Sequence, residues 1–317
     1  MKYVGLQQQI TTNNRKSILL LFGFPAILLA GLCIVFIFLS PGSTNEAFLS
    51  AAPYVLGFTS VWFLIAFLGH SRMINYATGA KSLERKENMR VYNLTENLCM
   101  SVGMKMPILR IIESPALNAY ASGLNEKNHT VTLTRGIIDQ LDDDELEGVI
   151  AHELMHIRNN DVRLLIISIV FVGIFSVIFQ SVMRSIFYGS GRRSSRKKDG
   201  KGGFIITLVI LLVSALIYLI SILFKFSLSR KREYLADAGA AEMTKNPLGL
   251  ANALRKISGN SSLDNLKNND VKQMFIDNGP GKRTPSFISE IKLVKRIASI
   301  FATHPPIEKR ITLLEQF

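Results

Sequence analysis

Charge is missing from four long stretches of this 317-residue chain. Ile18–Leu39, Ala47–Gly69, Leu164–Met183 and Phe204–Phe224 contain no Asp, Glu, Lys, Arg or His. Each is long enough to cross about 30 Å of hydrocarbon as a helix, and four such runs exclude a single soluble core. The same absence argues against a transporter, because ion and proton pathways are built on charged groups inside the spans. Cysteine is scarce as well. Cys33 lies in the first run and Cys99 in a polar helical stretch, so no disulfide framework is implied, which suits a soluble part that faces a reducing compartment. No Ala-x-Ala cleavage site follows the first run; together with its length and its distance from the first residue, this predicts an uncleaved anchor rather than a signal peptide. Acidic residues are in deficit, 24 against 37 basic, for a net charge of +13. The excess sits beside the apolar runs, at Arg72, Lys81, Arg85, Lys86 and Arg90 and again at Lys225, Arg230, Lys231 and Arg232. That placement suits anionic lipid headgroups and orientation in a bilayer. No nucleic-acid motif accompanies it, so the expected partner is a lipid bilayer and not RNA or DNA.

What remains between the runs is polar and patterned. The organisation expected is 1–69 for the N-terminal tail and spans one and two, 70–163 for the first part of a soluble domain, 164–226 for spans three and four with a basic loop, and 227–317 for the second part. In the first polar part, Leu83–Met104 has a helical pattern, Ile108–Ile112 reads as extended, and Pro115, Gly123 and Asn125 mark turns. His129–Thr134 alternates polar and apolar and reads as a strand. Asp142 with Glu145 three residues on forms a capping box that starts a helix running past His156. The second polar part is mainly helical, broken by an Asn-, Gly- and Pro-rich stretch near Ser258–Pro285. The fold class expected is α+β, mainly helical, with four transmembrane helices and a soluble domain in two pieces.

The chemistry is concentrated in Val149–His156, which reads VIAHELMH. In a helix, His152 and His156 share one face and can reach one ion, while Glu153 is rotated about 100° from His152 towards the ion's open side. Zinc suits nitrogen and oxygen ligands in tetrahedral geometry with a position left for water. A third ligand must come from elsewhere, and Asp161, Glu233, Asp237, Glu242, His129 and His304 are the candidates. Asp161 would have to fold back. Glu233 lies on a segment of strong helix formers, with Asp237 one turn on and small residues around it; the first could hold the metal while the second orients a ligand imidazole. Carboxylates four apart beside Arg and Lys are equally compatible with a solvated face.

HELMH at 152–156, REYLADAGAA at 232–241, ALNAYASG at 116–123 and ATHPPIEKRI at 302–311 together make the chain resemble the HtpX family of bacterial membrane zinc endopeptidases, relatives of the CAAX prenyl endopeptidases. The likeness covers nearly the whole chain. It implies a zincin-type peptidase with one Zn2+ per chain, Glu233 as third ligand, and proteolysis of damaged or misfolded membrane proteins at the inner membrane. Glu153 is then the base that takes a proton from water and passes it to the leaving amine. Asn118, Ala119 and Tyr120 are expected to form an edge strand on which a polypeptide substrate lies extended. Asn118 and His304 are candidate donors to the oxyanion, and Arg310, on the helix after His304, could pair with a neighbouring carboxylate. The rival reading is a zinc-binding membrane scaffold or chaperone without catalysis, against which Glu153 stands, since metal binding alone does not need it. The positive-inside rule puts the peptidase domain in the cytoplasm. The basic loop Tyr188–Gly203 conflicts with this, because four full crossings place it on the far side.

Overall fold

A computed structural model of the chain describes residues 6–40, 42–189, 202–227, 230–258, 276 and 305–317. The order is α1 (Leu6–Leu39), α2 (Thr44–Thr78), β1 (Lys81–Ser82), α3 (Met89–Ser101), β2 (Ile108–Ile112), β3 (Ala119–Ser122), β4 (Thr130–Thr134), α4 (Arg135–Gln140), α5 (Asp143–Arg158), α6 (Asp161–Gly189), α7 (Gly202–Ser227), α8 (Arg230–Thr244), α9 (Pro247–Ile257) and α10 (Ile307–Leu314). The described residues are mainly helical with one small sheet, and the chain divides into two compact units.

One unit comprises Arg15–Leu68 and Ile167–Lys225. Its helices are apolar on more than one side. Phe22, Leu49, Tyr54 and Leu68 are exposed, as expected of side chains that meet lipid rather than water. Inside the unit, Phe24 stacks on Phe171 with ring centroids 4.6 Å apart, and Phe63 reaches the same ring at 5.5 Å. Three helical stretches are long and apolar enough to cross a membrane: Ile10–Leu39, Thr44–Thr78 and Asp161–Arg184. In α7 the apolar stretch among the described residues is the shorter Leu208–Ile220, so the expected fourth crossing is not among these three. Most of the basic loop expected at 188–203 lies outside the described residues.

The other unit comprises Met1–Asn14, Gly69–Ile166 and Phe226–Phe317. Its sheet has the order β1-β2-β4-β3, with β2 and β4 parallel and the other pairs antiparallel. β3 is therefore an edge strand. Helix starts follow local chemistry. Asn88 accepts from the Val91 N–H, Thr134 from Ile137 and Asn246 from Gly249, each satisfying a donor left over at a helix N-terminus. α3 begins at Met89 rather than at Leu83, because the Asn88 cap sets its first turn. α5 packs against α8 and α9. The approach to α9 is close enough that a Cβ on Gly148 would lie 2.7 Å from the Leu250 nitrogen, so only glycine fits there.

Candidate metal centre

The expected capping box is present at the start of α5: Asp142 accepts from Glu145 N–H at 2.9 Å, and Glu145 accepts from Asp142 N–H at 3.0 Å. Three acidic residues in the first turn complement the helix dipole. The helix is buried from Val149 to Met155, which carries His152 and Glu153 out of water; they are 0% and 2% exposed. α8 lies against this face through Ala236 and Ala240, both fully buried, and a Cβ at Gly239 would sit 2.3 Å from Met155 Cε. That close packing brings Glu233, on the first turn of α8, up to the histidines.

His152 Nε2 and His156 Nε2 are 3.1 Å apart. Glu233 Oε2 is 3.7 Å from the first and its Oε1 3.6 Å from the second. Among the described residues, these three side chains form the one group of His, Cys, Asp and Glu whose ligand atoms come within 4.8 Å of one another in a way that could hold a metal ion. Ligand bonds of about 2.0–2.2 Å in tetrahedral geometry separate donor atoms by roughly 3.3–3.6 Å, so the spacing fits one ion. Two imidazoles and one carboxylate, three protein ligands with a coordination position left over, are the donor set of a catalytic rather than a structural site.

The opposite edges of both rings are also engaged. His152 Nδ1 is 3.0 Å from Asp237 Oδ1. Arg310, fully buried, grips Asp237 with both ends of its fork, Nε to Oδ2 at 2.8 Å and Nη2 to Oδ1 at 2.7 Å, and its Nη1 lies 3.5 Å from Glu233 Oε2. The neighbouring carboxylate foreseen for Arg310 is thus Asp237. His156 Nδ1 is 3.2 Å from Asp161 Oδ2. Asp161 does fold back, as a ligand there would have required, but onto the far edge of the ring.

Burial pulls the His152 imidazole towards neutrality, but the hydrogen bonds to Asp237 and Glu233 outweigh it, and the metal-free ring is raised to about 9. Burial pushes the Asp237 carboxyl up, and the Arg310 charge and the His152 ring bring it below the usual carboxylate range. Glu153 is raised, by burial foremost, against the opposing pull of the two histidines and a backbone hydrogen bond from Ala121. A buried carboxylate with elevated proton affinity, beside three candidate metal ligands, is suited to general-base work.

The backbone bond from Ala121 ties Glu153 to β3. Asn118 O accepts from Thr134 N–H at 3.0 Å, which turns the alternate residues Ala119 and Ala121 outward. Ala119 O, on that outer edge, accepts from the Ile276 N–H at 2.9 Å. The chain's own backbone thus touches the expected substrate edge. Asn118 is buried at the foot of this strand, with its Oδ1 accepting from Ala119 N–H at 3.0 Å. His304 lies outside the described residues. His129, half-buried at the start of β4, and Glu242, exposed on α8, are not in the cluster. Sequence reasoning missed Asn13, whose side-chain amide donates to Asp161 Oδ1 at 2.7 Å. The signal available for Asp161 was Asn159-Asn160 before it: Asn160 adopts φ 57°, a left-handed conformation that Asn tolerates and that turns the chain back.

Comparison with known proteins adds a family to this geometry. Residues 85–317 match the model of Peptidase family M48. A protease HtpX homolog of Bacteroides fragilis is 52% identical over 331 residues and covers 100% of both chains. One from Listeria monocytogenes is 37% identical over 317 residues, covering 98% of this chain and 99% of its own, and one from Ligilactobacillus salivarius is 35% identical over 316 residues. Among solved structures, that of S. mikatae Ste24p is similar with a TM-score of 0.49 and 20% identity; the alignment covers 97% of this chain and 66% of that one.

Proposed function

This chain belongs to peptidase family M48, a membrane metallopeptidase, and we propose that it is a zinc-dependent endopeptidase in which His152, His156 and Glu233 hold the ion. The observation that carries this reading is the trio of ligand atoms facing one another with Glu153 buried beside them. When bound, zinc supplies Lewis acidity, which lets water act as a nucleophile near neutral pH and polarises the scissile carbonyl. Glu153 takes the proton of the attacking water and delivers it to the departing amide nitrogen. The main-chain carbonyls of Ala119 and Ala121, on the outer edge of β3, are the acceptors along which an extended polypeptide can lie as a further strand, the first of them where Ile276 now bonds. Asn118 and His304 are proposed donors to the developing oxyanion.

We read residues 70–163 and 227–317 as the two parts of the peptidase domain, in keeping with the unit that holds Gly69–Ile166 and Phe226–Phe317. Residues 1–69 and 164–226 then supply four membrane crossings, with the peptidase domain in the cytoplasm of a bacterium and the chain in its inner membrane. Likeness to the HtpX proteins supports a role in removing damaged or misfolded membrane proteins. The test is casein cleavage by the detergent-solubilised chain, with and without a chelator. Glu153→Gln is expected to lower turnover about 10²–10⁴-fold while metal analysis still finds one zinc per chain. Unchanged cleavage in that variant would refute the assignment of the base.

A further inference from the structure

The back of His156 carries a support that the HELMH motif does not announce. Asp161 Oδ2 faces its Nδ1 at 3.2 Å. The other carboxylate oxygen accepts from Asn13 Nδ2 at 2.7 Å, and the same amide nitrogen donates to the Asn159 carbonyl at 2.8 Å. Asn13 and Asp161 are both buried, 3% and 2% exposed, so each of these bonds is made out of water. Arg232, next to Glu233, adds a bond to the Asp161 main-chain carbonyl at 3.1 Å.

We propose that Asp161 and Asn13 are positioning residues for the metal ligand His156. A neutral imidazole has one proton and two nitrogens. A proton on Nε2 would block the side that faces His152 and Glu233. An acceptor at Nδ1 holds the proton there, leaves the Nε2 lone pair to the ion and fixes the ring's orientation. Asp161 can do this only in the rotamer that aims Oδ2 at the ring, and Asn13 selects that rotamer by engaging Oδ1. The amide's second bond falls on a carbonyl at the C-terminal end of α5 that the helix itself leaves over, so one side chain sets both the helix end and the carboxylate. Asp161 is not itself a ligand, since it contacts the ring edge opposite Nε2. Asn13 is a neutral donor. Unlike an arginine, it leaves the negative charge of Asp161 to the imidazole. Asn13 lies in α1, within the apolar stretch Ile10–Leu39, so the helix that starts the first expected membrane crossing also sets a metal ligand.

This inference rests on the metal-centre reading, and the test separates the two. Co2+ affinity of the full-length protein in detergent would be measured against a chelating indicator, with the visible Co2+ spectrum, for wild type, Asn13→Ala, Asp161→Ala and the double variant. Asp161→Ala is expected to weaken binding about 10–100-fold and to alter the spectrum. Asn13→Ala should weaken it about threefold to tenfold, and the double variant should bind no more weakly than Asp161→Ala, because Asn13 acts through Asp161. Asn13→Gln, which keeps the amide, should recover part of the loss. If Asn13→Ala does not fold, Asp161→Asn serves in its place: it keeps the shape but cannot accept from both the ring and Asn13, and should lose the same 10–100-fold. Wild-type affinity and spectrum in the variants, or additive losses in the double variant, would overturn the positioning role. Failure of the wild type to bind Co2+ at all would overturn the metal centre itself and this role with it.

Discussion

The edges of His152 and His156 that face each other and the edges that face away are built in different ways. The facing side comes from five consecutive residues of α5 and one carboxylate from α8. The far side draws on α1, α6, α8 and α10, through Asn13, Asp161, Asp237 and Arg310. Chemistry at the front therefore needs a short motif, while orientation at the back needs the assembled domain. The two backs also differ from each other. Asp237 is held by a guanidinium, and Asp161 by an amide.

The most severe break of the front is Glu233→Ala. Two imidazoles alone hold zinc weakly, so metal content after dialysis should fall from one per chain towards zero and cleavage with it. Full occupancy would remove Glu233 from the ligand set. Breaking the back instead, Arg310→Met strands the buried Asp237 charge and is expected to cost about 3–5 kcal/mol of stability, read as a lowered denaturation midpoint. Glu153→Gln should leave that midpoint near wild type, and equal losses in the two variants would erase the distinction between front and back.

A pH titration joins the two sides. The metal-free His152 is raised from 6.5 to about 9, so its proton stabilises the metal-free fold fully below about 6.5, and that contribution is lost as pH rises through about 9. Zinc needs the neutral ring and must displace this proton. Apparent zinc affinity should therefore climb about tenfold per pH unit between 6.5 and 9 and level off above, with one proton released per ion over that range. Chelator competition in stepped buffers reads the slope, and a flat profile would show that the metal-facing Nε2 of His152 carries no proton for zinc to displace in this range. The smallest effect is expected from Gly239→Ala. Its methyl group would meet Met155, and overpacking of this kind costs about 1–3 kcal/mol. Because Met155 lies between the two histidines in sequence, zinc affinity should fall along with stability. A stability loss with unchanged affinity would place the strain away from Glu233.

How much of this was legible in the sequence follows the same division. The helix start at Asp142 and the pair His152 and His156 could be read because every contact spans five residues or fewer. Thr130–Thr134 was visible in its alternation and β-branched content and Ile108–Ile112 as an extended piece, but their parallel pairing was not, since it depends on the crossover between them. β1, two residues long, left no periodic trace. Glu233 was ambiguous because RKRE on a helix is also the pattern of a solvated face, and only the family resemblance selected it. Asn13 could not have been chosen. It reads as one of two asparagines at the edge of an apolar run, and its partners Asn159 and Asp161 lie 146 and 148 residues away.

The long reach of Arg310 has a consequence for the timing of activity during synthesis. Its partner Asp237 is translated 73 residues earlier, and the His152 ring that Asp237 supports is 158 residues earlier than Arg310. At about 5–20 residues per second, a nascent chain carries HELMH, and then Glu233, for several seconds before the guanidinium arrives that pairs the buried carboxylate behind them. The two apolar helices α6 and α7 emerge in that interval. A ribosome-bound intermediate thus carries His152, His156 and Glu233 before the Arg310 that pairs the buried Asp237 behind them has been made.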